Sequence, residues 1–311
     1  MCCRLFFILM LFTSSVLFAE EQLPINILTF NIRLSSAKDG KNSWENRKDF
    51  VLDVIQSKSG NGGTYDFIGF QEAVVSPRQK FNQVDYIVSK MNLYNSIWLS
   101  REKTPNAGEA MLLLWNQDRW KIDDNEKGTF WLSDTPNVAG SKTDKDAGCT
   151  RCVTFGLFHE LKNGQKTGQK IYVANTHYDH KSEKARQKAA KQIMNWIANQ
   201  KEKNVPLIFM GDLNCGEKSQ TIRFMQGEVM KLDNIDIKPP LALIDTFRAA
   251  NPDENDIGTF NGFKEQTGKE KIDYIFVTKN IKTISSRIIR TKYNGFWPSD
   301  HCPVEAIVSF K

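Results

Sequence analysis

The stretch of sequence that decides the fold is Val205-Pro206-Leu207-Ile208-Phe209-Met210-Gly211-Asp212-Leu213-Asn214. Its apolar residues form a short run bounded by turn residues, a pattern typical of a fully buried β-strand. The strand ends at Asp212, and Asn214 follows two residues later. We therefore expect two polar side chains at the edge of a sheet, a place where many binding sites are formed.

A second stretch, near the carboxyl end of the chain, also places a carboxylate beside a strand. It reads Pro298-Ser299-Asp300-His301-Cys302-Pro303, and the apolar residues 304–308 that follow it predict another strand. One strand thus ends at a carboxylate and another begins just after one. Both stretches can border a single pocket if the two strands lie in one domain.

Strands and helices alternate along the rest of the chain, without a repeat or a low-complexity linker. Further strand candidates span residues 25–30, 65–70, 110–115, 153–158, 171–176, 272–277 and 304–310. Helices are expected after Ser43 as N-cap, between Phe81 and Met91, and from residue 182 to 199. The segment between residues 115 and 153 is rich in Gly, Asp and Ser and is expected to be a loop. This order predicts an α/β domain with helices covering either one sheet or two.

The composition excludes a disordered chain but does not identify a function. Of 311 residues, 40% are hydrophobic and 25% are charged, which suits a globular protein with a sizeable core. The net charge of +6 comes from basic residues scattered among acidic ones. This balance is compatible with a polyanionic substrate without requiring one.

Residues 1–19 resemble a secretory signal peptide. Arg4 supplies the positive start, residues 5–12 the apolar stretch and Ala19 the small residue before the cleavage point. An uncleaved anchor or a core helix is the alternative. The cleaved form leaves residues 20–311 as a single catalytic domain, exported to the periplasm or secreted and without a stable membrane anchor.

Removal of the signal also removes Cys2 and Cys3 and leaves four cysteines, which are Cys149, Cys152, Cys215 and Cys302. The first two can close a small disulfide loop in an oxidising compartment. Structural zinc is disfavoured because it would want a second pair of this spacing. Cys215 and Cys302 each follow a polar motif residue, so they are expected to lie close together, as free thiols or as a second disulfide.

Polar side chains follow several of the predicted strands. They are Asn31, Glu72, His177, Asp212, Asn214, Asp300 and His301. Carboxylate and amide oxygens suit Mg²⁺ or Mn²⁺, which keep bound waters and often bind substrate phosphate as well. Histidines beside such carboxylates can orient or deprotonate water and donate to phosphoryl oxygens as charge develops. The pattern indicates metal-dependent hydrolysis of a phosphate ester.

Several sequence blocks, taken in order, resemble the endonuclease/exonuclease/phosphatase superfamily. The blocks are Leu28-Thr29-Phe30-Asn31-Ile32-Arg33, Gly69-Phe70-Gln71-Glu72, Asn175-Thr176-His177, Gly211-Asp212-Leu213-Asn214, Ile272-Asp273-Tyr274-Ile275 and Ser299-Asp300-His301. The resemblance extends from about residue 25 to residue 310. It implies a four-layer α/β sandwich, in which two packed mixed β-sheets are flanked by helices.

The resemblance also implies roles for individual residues. A divalent ion would be held chiefly by Glu72, with Asn31 and Asp300 completing its surroundings. Asp212 would orient or deprotonate the attacking water, and Asn214 would hold the phosphate or the water.

Two histidines would stabilise the transition state in this scheme. His177 and His301 would contact the scissile phosphate, and Asp273 would fix the ring of His301 by accepting its N–H. Glu109 falls where the pancreatic deoxyribonuclease has a carboxylate paired with the first histidine.

Some residues keep two interpretations at this stage. Arg33 and Arg151 can clamp the substrate phosphate or can form surface ion pairs. Tyr178, Phe263 and Trp297 can line the rim of the site or pack in the core.

The motifs are closest in style to the deadenylase and nocturnin branch and to exported bacterial members. We therefore expect a secreted, Mg²⁺-dependent or Mn²⁺-dependent phosphodiesterase that acts on nucleic acid or on a nucleotide derivative, as a monomer. The alternative on the same scaffold is a phospholipid or sugar-phosphate esterase. A binding protein without catalysis is disfavoured, because Glu72, His177, Asp212, Asp273 and His301 are all present.

Overall fold

The computed structural model describes residues 23–57, 59–78, 81–104 and 106–311. The expected signal peptide, residues 1–19, lies outside these ranges, as do Cys2 and Cys3. Within them, two six-stranded sheets and five α-helices build four layers. The expectation of two packed mixed sheets flanked by helices is confirmed.

The first sheet has its central strand, β1 (Ile25–Asn31), between a parallel and an antiparallel neighbour. In spatial order it consists of β13 (Ile281–Ile288), β14 (Val304–Phe310), β1, β2 (Phe67–Val75), β4 (Gly108–Asn116) and β3 (Tyr94–Ile97). The parallel pair of β1 and β2 sends both carboxyl ends to one edge of the sheet.

The second sheet repeats this plan with β7 and β8 as its parallel pair. Its order is β11 (Ile244–Asp245), β12 (Asp273–Val277), β8 (Leu207–Asp212), β7 (Gln165–His177), β6 (Cys152–Lys162) and β5 (Trp120–Trp131). A separate hairpin joins β9 (Met230–Leu232) and β10 (Ile235–Ile237).

Four of the five helices cover the outer faces of the sheets, and the short fifth helix packs Phe247 into the core between them. Their bounds are α1 (Trp44–Gln56), α2 (Gln83–Val88), α3 (Glu183–Ala198), α4 (Gln220–Met225) and α5 (Thr246–Ala250). Helices α1 and α2 pack on the first sheet, and α3 and α4 pack on the second. Ser182 caps α3 by accepting the N–H of Ala185, whereas the side chain of Ser43 makes no capping bond to α1.

Alternation along the strands creates the core between the two sheets. In β1, Ile27 faces the second sheet while Leu28 and Phe30 face the helices. The sheets pack closely at Gly69, where a Cβ would lie 2.9 Å from the Met210 sulfur. This close packing brings the carboxyl ends of β1 and β2 next to those of β7 and β8.

The expected loop between residues 115 and 153 was wrong in part, because β5 occupies twelve residues of it. This strand lies at the edge of its sheet and exposes much of its length, so its sequence lacks the apolar run of a buried strand. Strands β3 and β13 are also edge strands that the sequence pattern did not indicate.

The expected proximity of Cys215 and Cys302 was also wrong. Cys215 packs between the second sheet and its helices, whereas Cys302 packs between the two sheets. All four cysteines of the described residues are free thiols. Tyr178 and Trp297 are buried in these same core regions, so core packing is the correct interpretation for both.

No helix of the described residues is both long and apolar enough to cross a membrane.

Candidate active site at the carboxyl edge of both sheets

Strand register brings the predicted residues together. On the second sheet, Asp212 pairs with His177 on one side and with Asp273 on the other. On the first sheet, Asn31 pairs with Gln71, so Glu72 lies just beyond it. The polar residues of the two sheets face each other, because the parallel strand pairs of both sheets end at the same edge of the sandwich.

A cavity of about 570 Å³ opens at this edge. Its lining includes nine of the residues predicted from the sequence, which are Arg33, Glu72, Glu109, Arg151, His177, Asp212, Asn214, Asp300 and His301. The other two, Asn31 and Asp273, lie buried behind this lining.

Glu72 turns into the cavity at a β-bulge. The register of β2 against β4 shifts between Phe70 and Ala73, and Glu72 has a φ of 60°. Its carboxylate accepts bonds from Asn31 Nδ2 at 3.1 Å and from the Leu34 N–H at 2.9 Å. Burial alone would raise the pKa of Glu72, but the His301 charge and these bonds lower it below its ordinary value. Glu72 is therefore an anion at neutral pH.

Asn31 lies among the carboxylates of the site and orients two of them. Its Nδ2 donates to Glu72 Oε1 at 3.1 Å and to Asp212 Oδ2 at 3.0 Å. Its Oδ1 accepts the Arg33 N–H at 3.0 Å. The amide thus links the carboxylates of the two sheets, while its oxygen is taken by the backbone.

The side chains that face the cavity include ligands suited to a divalent cation. Glu72, Asp212 and Asp300 supply carboxylate oxygens, the donors that hard cations such as Mg²⁺ and Mn²⁺ prefer. Glu72 also belongs, with Glu109 and His177, to a group whose ligand atoms lie within 4.8 Å of one another. The donor set suits a hard divalent cation at the Glu72 side of the cavity.

Arg33 forms an ion pair, the second of its two interpretations. It makes two hydrogen bonds of 3.0 Å to Asp39, and its Nε lies 3.6 Å from Asp300 Oδ2. The bond to Asp39 raises the pKa of Arg33 above its ordinary value. Burial also raises the pKa of the nearby Asp300 carboxyl above its ordinary value. Arg33 thus neutralises the carboxylates around it while one side faces the cavity.

His301 is held as a charged imidazolium. Its Nδ1 donates to Asp273 Oδ2 at 2.9 Å, and its Nε2 lies 3.8 Å from Asp212 Oδ2. Burial would lower the pKa of His301, but the charges of Asp273 and Asp212 raise it well above its ordinary value. The contact expected between Asp273 and His301 is present, and it fixes which nitrogen faces the cavity.

Asp212 lies between the two histidines. Its Oδ2 is 3.3 Å from His177 Nε2, and its Oδ1 accepts the Asn214 N–H at 2.9 Å. Burial and the nearby charge of Asp273 raise the pKa of Asp212 to about 7. A carboxylate of this pKa can accept a proton near neutral pH.

His177 is neutral, in contrast to His301. Burial and then the charges of Arg151 and Arg101 lower the pKa of His177 well below its ordinary value. Its Nε2 lies 2.8 Å from Asn214 Nδ2 and 3.3 Å from Asp212 Oδ2. Nδ1 has no hydrogen-bond partner among the described residues.

Glu109 does not make the expected hydrogen bond to His177. It pairs instead with Arg101 Nη2 at 2.5 Å. Burial raises the pKa of Glu109. Arg101 was missed in the sequence because no motif surrounds it and its partner lies on a neighbouring strand.

Arg151 faces the cavity without a carboxylate partner among the described residues. It is 3% exposed, and its Nη2 lies 3.4 Å from His180 Nδ1. Its Nε and Nη1 make no hydrogen bond. The guanidinium therefore adds positive charge to the lining of the cavity.

Aromatic side chains also line the cavity. Phe260 is 43% exposed and stands edge-on to His301, with ring centroids 5.1 Å apart. Phe263, left open between rim and core, lines the cavity beside it. The sequence analysis missed Phe260, although its position in the loop before β12 was a signal that it shares with Phe263.

The sequence of the chain matches a known protein family. The model of the Endonuclease/Exonuclease/phosphatase family matches residues 28–301. No curated protein sequence matches the chain significantly.

Solved structures that resemble this one include the following three. An endonuclease/exonuclease/phosphatase from Bacteroides vulgatus is 26% identical with a TM-score of 0.75, covering 93% of this chain and 100% of that one. The mannosyl-6-phosphatase Bt3783 from Bacteroides thetaiotaomicron is 23% identical with a TM-score of 0.72, covering 92% and 100%. The human nocturnin catalytic domain is 17% identical with a TM-score of 0.67, covering 94% and 97%. At these identities, the similarity to the mannosyl-6-phosphatase and to nocturnin shows a shared fold alone.

Proposed function

Since this chain belongs to the endonuclease/exonuclease/phosphatase family of metal-dependent phosphoesterases, we propose that it is a Mg²⁺-dependent or Mn²⁺-dependent phosphodiesterase. One observation carries the proposal. Asp212, whose pKa is about 7, lies between a neutral His177 and a charged His301, and Asn31 links it to Glu72. This arrangement places a base, two N–H donors and a cation site around one cavity.

The side chains divide the chemistry of hydrolysis among them. Asp212 accepts the proton of the attacking water. His301 donates its Nε2–H to a phosphoryl oxygen as negative charge develops there. The neutral imidazole of His177 supplies a further N–H beside Asp212. A divalent cation held by Glu72 and Asp300 would polarise the phosphoryl group.

We propose nucleic acid or a nucleotide derivative as the first substrate class. Phe260 offers an exposed aromatic face beside His301, and bases stack on such faces. Arg151, which also lines the cavity, has two guanidinium nitrogens without a hydrogen-bond partner among the described residues and offers positive charge to phosphate.

A small sugar phosphate is the second candidate, because the cavity is confined. A volume of about 570 Å³ suits a single small ligand. No extended groove is needed for a substrate of that size.

We also propose that the protein is exported after removal of residues 1–19 and acts as a monomer. The proposal of export rests on the signal-like sequence at the amino terminus, whereas the monomeric state is carried over from the sequence-based expectation. Edman sequencing of the mature protein from the producing cells should begin at Glu20, and a chain that retains Met1 would contradict it.

A substrate panel with Mg²⁺ and Mn²⁺ tests the function. It should contain single-stranded DNA, oligo-A RNA, dinucleotides, sugar phosphates and sphingomyelin, and at least one ester should be hydrolysed. Glu72→Ala should lower kcat on the order of 100-fold or more, because the main cation ligand is lost. Glu265→Ala, an exposed carboxylate, is the matched control. Full activity of the Glu72 variant would rule out the metal assignment.

A further inference from the structure

Arg47 is a buried cation that the catalytic scheme does not use. It lies in the first turns of α1, outside the cavity lining, and is 1% exposed. None of its hydrogen bonds among the described residues goes to a carboxylate. The guanidinium instead donates only to backbone carbonyls.

Those carbonyls belong to the segments that carry the proposed cation ligands. Nη1 donates to Ile32 O at 2.5 Å and to Pro298 O at 3.1 Å. Nη2 donates to Arg33 O at 2.7 Å, and Nε donates to Asn42 O at 3.0 Å. Arg47 therefore fastens the segment after β1 to the segment just before Asp300.

These two segments must keep a fixed relative position if Glu72 and Asp300 are to bind the same cation. The segment after β1 contains Leu34, whose N–H binds Glu72, and follows Asn31. The other segment ends at Asp300. A second tie of the same kind exists, since Ser299 Oγ donates to Asn31 O at 2.7 Å.

The same guanidinium reaches aromatic groups on two further sides. Its carbon lies 5.3 Å from the ring centroid of Trp44 and 5.8 Å from that of Phe263. Burial lowers the pKa of Arg47 to about 10, which still leaves it charged at neutral pH. Arg47 thus joins α1, both ligand-bearing segments and one wall of the cavity.

We propose that Arg47 is a positioning residue that sets the affinity of the site for its divalent cation, by holding the Asp300 segment against the segment that positions Glu72. The proposal deepens the proposed function, because it rests on a cation bound at Glu72 and Asp300. Outer contacts that orient metal ligands commonly change metal affinity by about 10-fold to 100-fold.

Arg47→Lys tests the proposal because it keeps the charge but cannot reach all four carbonyls. Calorimetric titration with Mn²⁺, without substrate, should show affinity weakened about 10-fold or more. Raising the Mn²⁺ concentration should restore most of the turnover of the variant. Loss of structure alone would not be restored in this way.

Arg119→Lys is the matched control. Arg119 is also a largely buried guanidinium that binds backbone carbonyls, those of Leu23 and Pro24, beside the amino end of β1. The carboxyl end of β1, near Arg47, is about 20 Å away by strand geometry. The control variant should lose stability while keeping wild-type Mn²⁺ affinity.

Each outcome decides the proposal. Wild-type Mn²⁺ affinity in Arg47→Lys, or equal loss in Arg119→Lys, would overturn it. If Arg47→Lys does not fold, Ser299→Ala decides instead, because it removes the parallel tie, and unchanged affinity in that variant would also overturn the proposal. A wild-type protein that binds Mn²⁺ but cleaves no ester would refute the proposed function. The Mn²⁺ affinities of Arg47→Lys and Arg119→Lys would still test the role of Arg47. No Mn²⁺ binding by the wild type would refute both.

Discussion

The two histidines of the site have opposite charge states because their neighbours differ. His301 has Asp273 and Asp212 beside it, whereas His177 is buried next to the positive charges of Arg151 and Arg101. One residue type therefore supplies a charged donor on one side of Asp212 and a neutral donor on the other. The environment, rather than the residue type, sets the chemistry.

Asp273→Asn should lower kcat more than it changes KM. The substitution removes the carboxylate that orients the His301 ring and raises its pKa, but it removes no contact with substrate. Steady-state kinetics on the best substrate of the panel would measure this, with kcat falling about 10-fold or more. Unchanged kcat would show that the pairing does not support turnover.

Asp212 should reduce the stability of the metal-free protein as pH rises. Its pKa is about 7 in the folded state and near 4 in an unfolded chain, so folding favours the protonated form. The stabilisation is complete below about pH 4 and is lost as the pH rises through about 7.

Asp212→Asn removes this ionisation. Between pH 4 and pH 8, the unfolding free energy of the variant should increase relative to wild type by at least about 1 kcal/mol. Urea unfolding in the presence of a chelator measures the difference at each pH. A difference that stays constant over this range would contradict the raised pKa.

At the scale of elements, the parallel pair of β7 and β8 depends on a glycine. Gly211 has a φ of 149°, and a Cβ at this position would lie 2.0 Å from Thr176 O. The position stands between Met210 in the core and Asp212 in the site. Close approach of the two strands therefore brings His177 next to Asp212.

Gly211→Ala should destabilise the protein by about 2 kcal/mol or more, because the added methyl meets backbone that cannot move independently. Gly128→Ala is the control, since its Cβ would make only ordinary contact with Phe155 at 3.8 Å. The midpoint of urea unfolding compares the two variants. Equal stability of both would show that the strand contact is not restrictive.

At the scale of the whole molecule, each sheet supplies half of the site. Glu72 and Asn31 come from the first sheet, and His177, Asp212 and Asp273 come from the second. The hydrogen bond from Asn31 to Asp212 crosses between the sheets. A cation bound at Glu72 and Asp300 should therefore stabilise the folded molecule.

Saturating Mn²⁺ should raise the thermal unfolding temperature of the wild type. At a free concentration 100 times the Kd, the added stability is about 2.7 kcal/mol. Glu72→Ala should lose this increase while keeping its metal-free unfolding temperature close to that of the wild type. An equal increase in both proteins would place the cation elsewhere.

The motif residues could be predicted because short-range patterns reveal them. A polar residue beside an apolar run marks a strand end, and six of the seven residues found in this way line the cavity. The edge strands β3, β5 and β13 were missed because exposed strands lack such a pattern. Glu109 and Asn31 were found, but their partners were not, because partners depend on side-chain direction.

By itself, the sequence determined the α/β class, the central strands and the residue types that line the candidate site. These features follow from local periodicity and from residue type, which neighbouring residues are enough to reveal. Only the tertiary structure decided that Asn31 donates to two carboxylates, that Cys215 and Cys302 lie in different core regions, and that Arg47 fastens Pro298. Each of these contacts joins segments far apart in the chain, 251 residues apart for Arg47 and Pro298. Such contacts are fixed by the packing of the two sheets, because packing sets the direction in which each side chain points.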